Sequence, residues 1–180
     1  MTHVETQTPA SAAEDHGRQN ALAWFRSIVE MVEALREANR DAINGAPTPD
    51  GNYDEANEAA RERILESVLS VEVRSGWYAA GTDLSARGMA GQAAPAEFRI
   101  LLTTGGPAAQ LCGELNEHGE PETARLEFQD WGTPWTAIDA WDLAEHGPLR
   151  DAWKAGHLAA IESTQAYLLD FARQFYFGEG

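Results

Sequence analysis

Cysteine and lysine are nearly absent from this 180-residue sequence, and it contains no long apolar run. The one cysteine, Cys112, has no partner for an internal disulfide, which is typical of a reducing compartment. No segment approaches the roughly 18 consecutive apolar residues of a membrane span, and the N-terminus is polar where a signal peptide would be basic and then apolar. We therefore expect a cytoplasmic protein with no membrane partner.

Basic residues are also scarce, since 13 of them stand against 29 acidic ones and give a formal net charge of −16. Residues 1–68, 69–128 and 129–180 carry 13, 8 and 8 acidic residues, so the negative charge belongs to the whole chain and not to a tail. Direct binding to nucleic acid needs a broad basic surface, which this composition disfavours.

Two interpretations of this acidity remain open. The first is solubility, or the bias of a halophilic or GC-rich host, which agrees with Lys154 being the only lysine. The second is that a folded, evenly acidic body presents a nucleic-acid-like field to a protein that normally binds DNA or RNA.

Apolar residues at spacings of three and four predict helices over residues 20–44, about 54–69 and about 152–175. The second of these has few apolar positions, so we expect it on the surface. Residues 1–17 are polar and without a period, and they are predicted to be a disordered leader. The length of the chain favours a single domain, over 18–180.

The middle of the chain changes to a period of two, which predicts strands over 71–77, 97–102, 110–115 and 124–129. Short links rich in turn residues join the last three strands, so consecutive antiparallel hairpins are expected. The link over 79–96 is long enough to be mobile or functional. The predicted fold is α+β, a four-stranded antiparallel β-meander with two N-terminal helices and one C-terminal helix packed on one face.

No catalytic or metal-binding motif is present, and we expect neither a cofactor nor a metal. The histidines lack a second histidine or cysteine at ligand spacing; they are His3, His16, His118, His146 and His157. Cys112 lies in mid-strand in an acidic protein, which disfavours a reactive thiolate. The sequence thus favours a protein that is not an enzyme, although an unfamiliar site that uses His146 or the Asp130 region as a base remains an alternative.

Tryptophans gather at strand ends and in the irregular stretch that follows the strands. They either close the end of the core or form a binding site, because tryptophan is favoured in binding hot spots. On the solvent face of the sheet, Arg99, Glu114, Arg125 and Glu127 are expected to pair across strands. The candidate binding residues are Trp77, Tyr78, Trp131 and Trp135, flanked by Asp130, Glu114 and Glu127.

Four segments resemble a family of small acidic proteins associated with phages, prophages and plasmids. They are VEVRSGW at 71–77, EFRILLTTGGPA at 97–108, QDWGTPW at 129–135 and FYFG at 175–178. The resemblance covers about 66–136 and the final helix, and it carries over no catalytic residue.

This resemblance implies a host bacterial cell and a role against host defence, of the anti-CRISPR or anti-restriction type. Combined with the distributed charge, it predicts a non-enzymatic inhibitor that mimics nucleic acid and occupies the basic nucleic-acid-binding surface of a host protein complex. A small-ligand or peptide-binding accessory domain, using the tryptophan-lined end of the sheet, is the alternative.

Overall fold

The computed structural model describes residues 12–44, 53–76 and 94–178, which form an antiparallel five-stranded sheet and five helices. The predicted α+β class is confirmed, whereas the predicted numbers of strands and helices are too low. Most of the predicted 79–96 loop, like residues 1–11 of the predicted leader, lies outside the described residues. The elements are α1 (Ala12–Asn44), α2 (Tyr53–Glu66), β1 (Ser70–Ser75), β2 (Pro95–Thr103), β3 (Ala108–Glu114), β4 (Arg125–Gln129), β5 (Thr136–Ala137), α3 (Ala140–His146), α4 (Arg150–Ala155) and α5 (His157–Ala172).

Helix α1 begins before its predicted start at Asn20, so residues 12–17 are helical and not part of a leader. A Cβ added at Gly17 would lie 2.6 Å from the ring of Phe128 on β4, which shows that α1 already packs against the sheet there. The predicted apolar stripe is buried at the expected spacings of three and four. Of its members, Leu22 is half-buried, and the buried ones are Phe25, Ile28, Val29, Val32 and Leu35.

Strand order in the sheet follows chain order, and each strand is antiparallel to the next, as the hairpin links predict. The β2–β3 turn contains Gly105 at φ 99°, a left-handed conformation that glycine adopts readily. Strand β5 pairs only Thr136 and Ala137 with β4. Two residues leave no alternating pattern in a sequence, which is why the pattern predicts only four strands.

The core lies between one face of the sheet and the helices α1 and α5. Alternate residues of the three central strands are buried there, among them Ile100, Leu111 and Leu126 at 0% exposure. Phe25 of α1 and Phe171 of α5 close this core from the helical side. Burial of each such side chain stabilises the fold by about 1.5 to 3 kcal/mol.

The C-terminal part of the chain forms three helices instead of the single helix predicted over 152–175. Gly156 separates α4 from α5, with extended backbone at φ −179° and ψ 112°, because glycine is unfavourable inside a helix. Helix α3 lies in the stretch predicted to be irregular. Within the described ranges, no helix is both long and apolar enough to span a membrane.

Candidate binding surfaces

The turn between β4 and β5 holds three of the predicted binding residues. Asp130 is buried, and its Oδ1 accepts a hydrogen bond from the backbone N–H of Trp131 at 2.7 Å. Trp131 itself is 77% exposed, and its indole lies against Gly106, where an added Cβ would be 2.0 Å from Nε1. Trp135 is half-buried. Asp130 therefore holds the turn, and Trp131 is presented on the surface.

Glu127 lies at the centre of the sheet face opposite the core. It accepts hydrogen bonds from Gln110 Nε2 and Arg125 Nε, both at 2.7 Å, and from Cys112 Sγ at 3.7 Å. Burial raises the pKa of Glu127, but the hydrogen bonds from Gln110 and Arg125 outweigh burial, and the net effect lowers the pKa. This carboxylate is therefore held in its charged form.

The polar face of the sheet forms a shallow groove of about 410 Å³, with Glu127 and Arg125 at one side and Glu72 and Arg99 at the other. Arg125 pairs with Glu127 of its own strand β4, and Arg99 pairs with Glu72 of β1. The expected ion pairs across strands within the predicted set are therefore not formed among the described residues. Each glutamate that lines the groove is thus paired with an arginine.

Cys112 lies beneath these ion pairs. Burial and the nearby Glu127 carboxylate raise the pKa of its thiol to about 12. The thiol therefore stays protonated at neutral pH and is a poor nucleophile, as expected for its position in mid-strand.

Glu114 is separated from the tryptophan turn by the length of β3. Ala108, at the other end of β3, pairs with Gln129 next to that turn, and seven-residue strands are about 20 Å long. Glu114 therefore does not share a pocket with Trp131. Trp77 and Tyr78 lie outside the described residues, and the binding role of the whole predicted set stays a prediction.

A stack of three rings, which the sequence patterns do not predict, links α3, α4 and α5. Trp141 and Trp153 have centroids 5.5 Å apart at 26°, and His157 stacks on Trp153 at 4.0 Å and 15°. Trp153 is buried, while Trp141 is 57% exposed. The stack closes a small second core around Ala144 and is a packing feature.

Exposed carboxylates form a row on α2, at spacings of three, four and four residues. They lie opposite the buried Ile64, and the row consists of Glu55, Glu58, Glu62 and Glu66. In the described part of the chain, no ion pair forms to Glu58, Glu62 or Glu66. We call this set the α2 glutamate row.

Helix α1 carries carboxylates with the same spacing, but the pattern there is mixed. The acidic residues are Glu30, Glu33, Glu37 and Asp41. Arg26 and Arg40 lie on the same side of the helix, because Arg26 precedes Glu30 by four residues and Arg40 follows Glu37 by three. On α2, Arg61 and Arg63 flank the row at three residues from Glu58 and Glu66, but no ion pair to these glutamates forms in the described part of the chain. The spacing of the row is a sequence signal that composition alone does not reveal.

Comparison with protein-family models, curated proteins and solved structures finds no match to this chain. The resemblance to mobile-element proteins, and the function it implies, therefore stay predictions.

The groups proposed for an alternative enzyme occupy ordinary positions. His146 is about half exposed, and its Nε2 lies 3.6 Å from the carboxylates of Asp142 and Glu145. Asp142 is already bound by Arg18, whose hydrogen bond lowers the pKa of that carboxyl. Among the described residues, no group of three or more His, Cys, Asp or Glu side chains is placed to hold a metal.

Proposed function

We propose that this protein is a non-enzymatic acidic inhibitor, which uses the α2 glutamate row to occupy the basic nucleic-acid-binding surface of a host protein complex. The observation that carries the proposal is the unpaired state of Glu58, Glu62 and Glu66. The main carboxylates of the sheet groove each have an arginine partner, whereas these three have none in the described ranges. Their charge is therefore available to a partner.

The geometry of the row supports competition with nucleic acid. At about 1.5 Å of rise per residue, the row is about 16 Å long and carries one carboxylate per about 5 Å. A DNA strand carries one phosphate per about 3.4 Å, so the row offers a similar but sparser line of negative charge. Arginine recognises carboxylate and phosphate with the same paired hydrogen bonds.

The fold of α2 suits this role. Only Ile64 is fully buried among the described side chains of the helix, and the glutamates lie on the opposite side. A partner can therefore contact the row without disturbing the core. The resemblance to mobile-element proteins selects CRISPR effectors and restriction enzymes as the first partners to test.

The test measures displacement of fluorescently labelled duplex DNA from purified CRISPR effectors and restriction enzymes, followed by anisotropy. The wild-type protein should compete, and E58Q/E62Q/E66Q should lose affinity at least about tenfold. The matched control E30Q/E37Q/D41N removes the same charge from exposed positions of α1 and should keep its affinity. Competition should also weaken as salt rises from about 50 to 200 mM.

Two outcomes count against the proposal. If no effector or restriction enzyme loses DNA to the wild-type protein, the assigned partner class is wrong. If both triple variants lose affinity equally, net charge acts alone and the α2 glutamate row has no special role.

The alternative function, binding of a small ligand or peptide at the tryptophan turn, is favoured by the 77% exposure of Trp131. A large exposed aromatic ring on a turn held by Asp130 is a suitable contact for such a ligand. Under this alternative, Trp131→Ala abolishes binding, and neutralising the α2 glutamate row has no effect.

A further inference from the structure

Strand β1 is the edge strand of the sheet that the described residues form, and it is exposed on both faces. Each residue from Val71 to Ser75 is exposed, while the central strand β3 is buried from Ala108 to Gly113. In an antiparallel edge strand, alternate residues direct their N–H and C=O groups away from the sheet. Within the described part of the chain, these groups are available to another strand.

The core-facing side of β1 is apolar, and the described residues cover it only in part. Val71 pairs with Ile100 and Val73 with Phe98, so both valines extend rows of core residues. Ile100 and Phe98 are buried, whereas Val71 is 37% and Val73 is 40% exposed. Leu69, just before the strand, is 57% exposed. The apolar rows of the core thus continue to the edge of the sheet.

The other side of β1 has alternating charges. Glu72 forms an ion pair with Arg99, and Arg74 forms one with Glu97 at 2.6 Å. Across β1 and β2 the signs therefore form a checkerboard. A further strand paired with β1 would continue this checkerboard if it placed an arginine opposite Glu72 and a glutamate opposite Arg74.

We propose that β1 pairs antiparallel with β1 of a second copy of this chain, with Val73 of both copies on the two-fold axis. In this register, Glu72 lies opposite Arg74 of the other copy, and the reverse pair is formed at the same time. A row of side chains across the interface then consists of Glu97 and Arg74 of one copy, followed by Glu72 and Arg99 of the other. The charge alternates in sign along this row. The two valines meet on the apolar side.

Neighbouring registers are disfavoured by charge. In any other register that keeps the charged faces of both copies on the same side of the sheet, the two-fold axis moves along β1 by one or more whole residues. An axis through Glu72 places two glutamates opposite each other, and an axis through Arg74 does the same with two arginines. Like charges directly opposite in a sheet destabilise it.

The strength of this dimer is limited by the small size of β1. A pair of six-residue strands buries much less than the roughly 1,600 Å² of a standard stable interface, and both copies carry a net charge of −16. We expect reversible association with a dissociation constant on the order of micromolar to millimolar. The pairing uses no residue of the α2 glutamate row and is independent of the proposed function.

Sedimentation velocity at about 150 mM NaCl tests the pairing with two single variants, E72R and R74E. Each variant alone carries the same charge at positions 72 and 74, so its own dimer would place like charges opposite each other, and it should stay monomeric. Mixed in equal amounts, the two should form a heterodimer, because both positions are arginine in one variant and glutamate in the other. Far-UV circular dichroism checks that each variant is folded.

A second measurement does not depend on those variants. V73C, in a C112S background, should form a disulfide-linked dimer under mild oxidation, because the two cysteines would be direct cross-strand neighbours. A wild-type protein that stays monomeric at millimolar concentration overturns the proposal. The proposal is also overturned if the protein forms a dimer that does not cross-link at residue 73 and whose formation is unaffected by E72R and by R74E.

Discussion

Glu127 shows how one residue organises a surface. It binds a buried amide, a thiol and a guanidinium, and these three contacts come from β3 and from its own strand β4. The Oε1 of Gln110 is itself buried without a partner in the described structure, so the side-chain amide depends on Glu127 for its hydrogen bond. Loss of the carboxylate leaves buried polar groups unsatisfied.

Glu127→Gln should lower the free energy of unfolding by about 1 to 3 kcal/mol at neutral pH, since a buried network loses an acceptor. The pKa of Glu127 is lower in the folded state than the ordinary 4.5, so its stabilising effect is full above that value. It is lost as pH falls through the lower folded pKa. Urea unfolding at several pH values should show the difference between wild type and variant shrinking in acid.

Glu122→Gln is the control for this change, because Glu122 is exposed, lies outside the strands and has no ion pair among the described residues. It should leave the free energy of unfolding unchanged at every pH. A difference between wild type and Glu127→Gln that does not vary with pH would contradict the role assigned to the charge.

At the scale of elements, ion pairs tie α1 to the C-terminal helices. Arg36 donates to Asp170 of α5 from Nε at 3.1 Å and from Nη2 at 2.6 Å, and its guanidinium lies 4.3 Å from the ring centroid of Tyr167. Tyr167 in turn donates a hydrogen bond to Glu33 of α1. This cluster fixes how the two helices sit on the sheet.

A double-mutant cycle with Arg36→Ala and Asp170→Ala should give a coupling energy of about 0.5 to 1 kcal/mol in urea unfolding. The pair is only about one third exposed and has two hydrogen bonds. The same cycle on Lys154 and Asp151, which are 64% and 97% exposed, should give nearly zero. Equal coupling in both cycles would show that the cluster adds nothing beyond a surface contact.

At the scale of the molecule, the dominant quantity is the net charge of −16. Self-repulsion of like charge destabilises a compact chain, and salt screens it over a distance of about 10 Å at 0.1 M. We expect the free energy of urea unfolding to rise as NaCl increases from about 0.02 to 0.3 M. A fall would mean that local ion pairs outweigh the overall repulsion.

The fold is largely predictable from the sequence, because period-two and helical patterns record which side of each element is buried. The stripe on α1 and the alternation in β2, β3 and β4 predict the α+β class and the antiparallel hairpins. Three features do not show in these patterns. Strand β5 is too short to have a period, α3 lies in the stretch predicted to be irregular, and Gly156 interrupts a helical pattern that otherwise continues.

The acidity, the types of secondary structure and the alternating charges of β1 and β2 follow from the order of the amino acids alone, since they depend on composition and local spacing. Which charges are neutralised depends on the folded chain, because pairing requires residues distant in the sequence to meet. Folding separates Glu114 from Trp131, brings Arg99 to Glu72 from 27 residues away, and leaves the α2 glutamate row facing solvent.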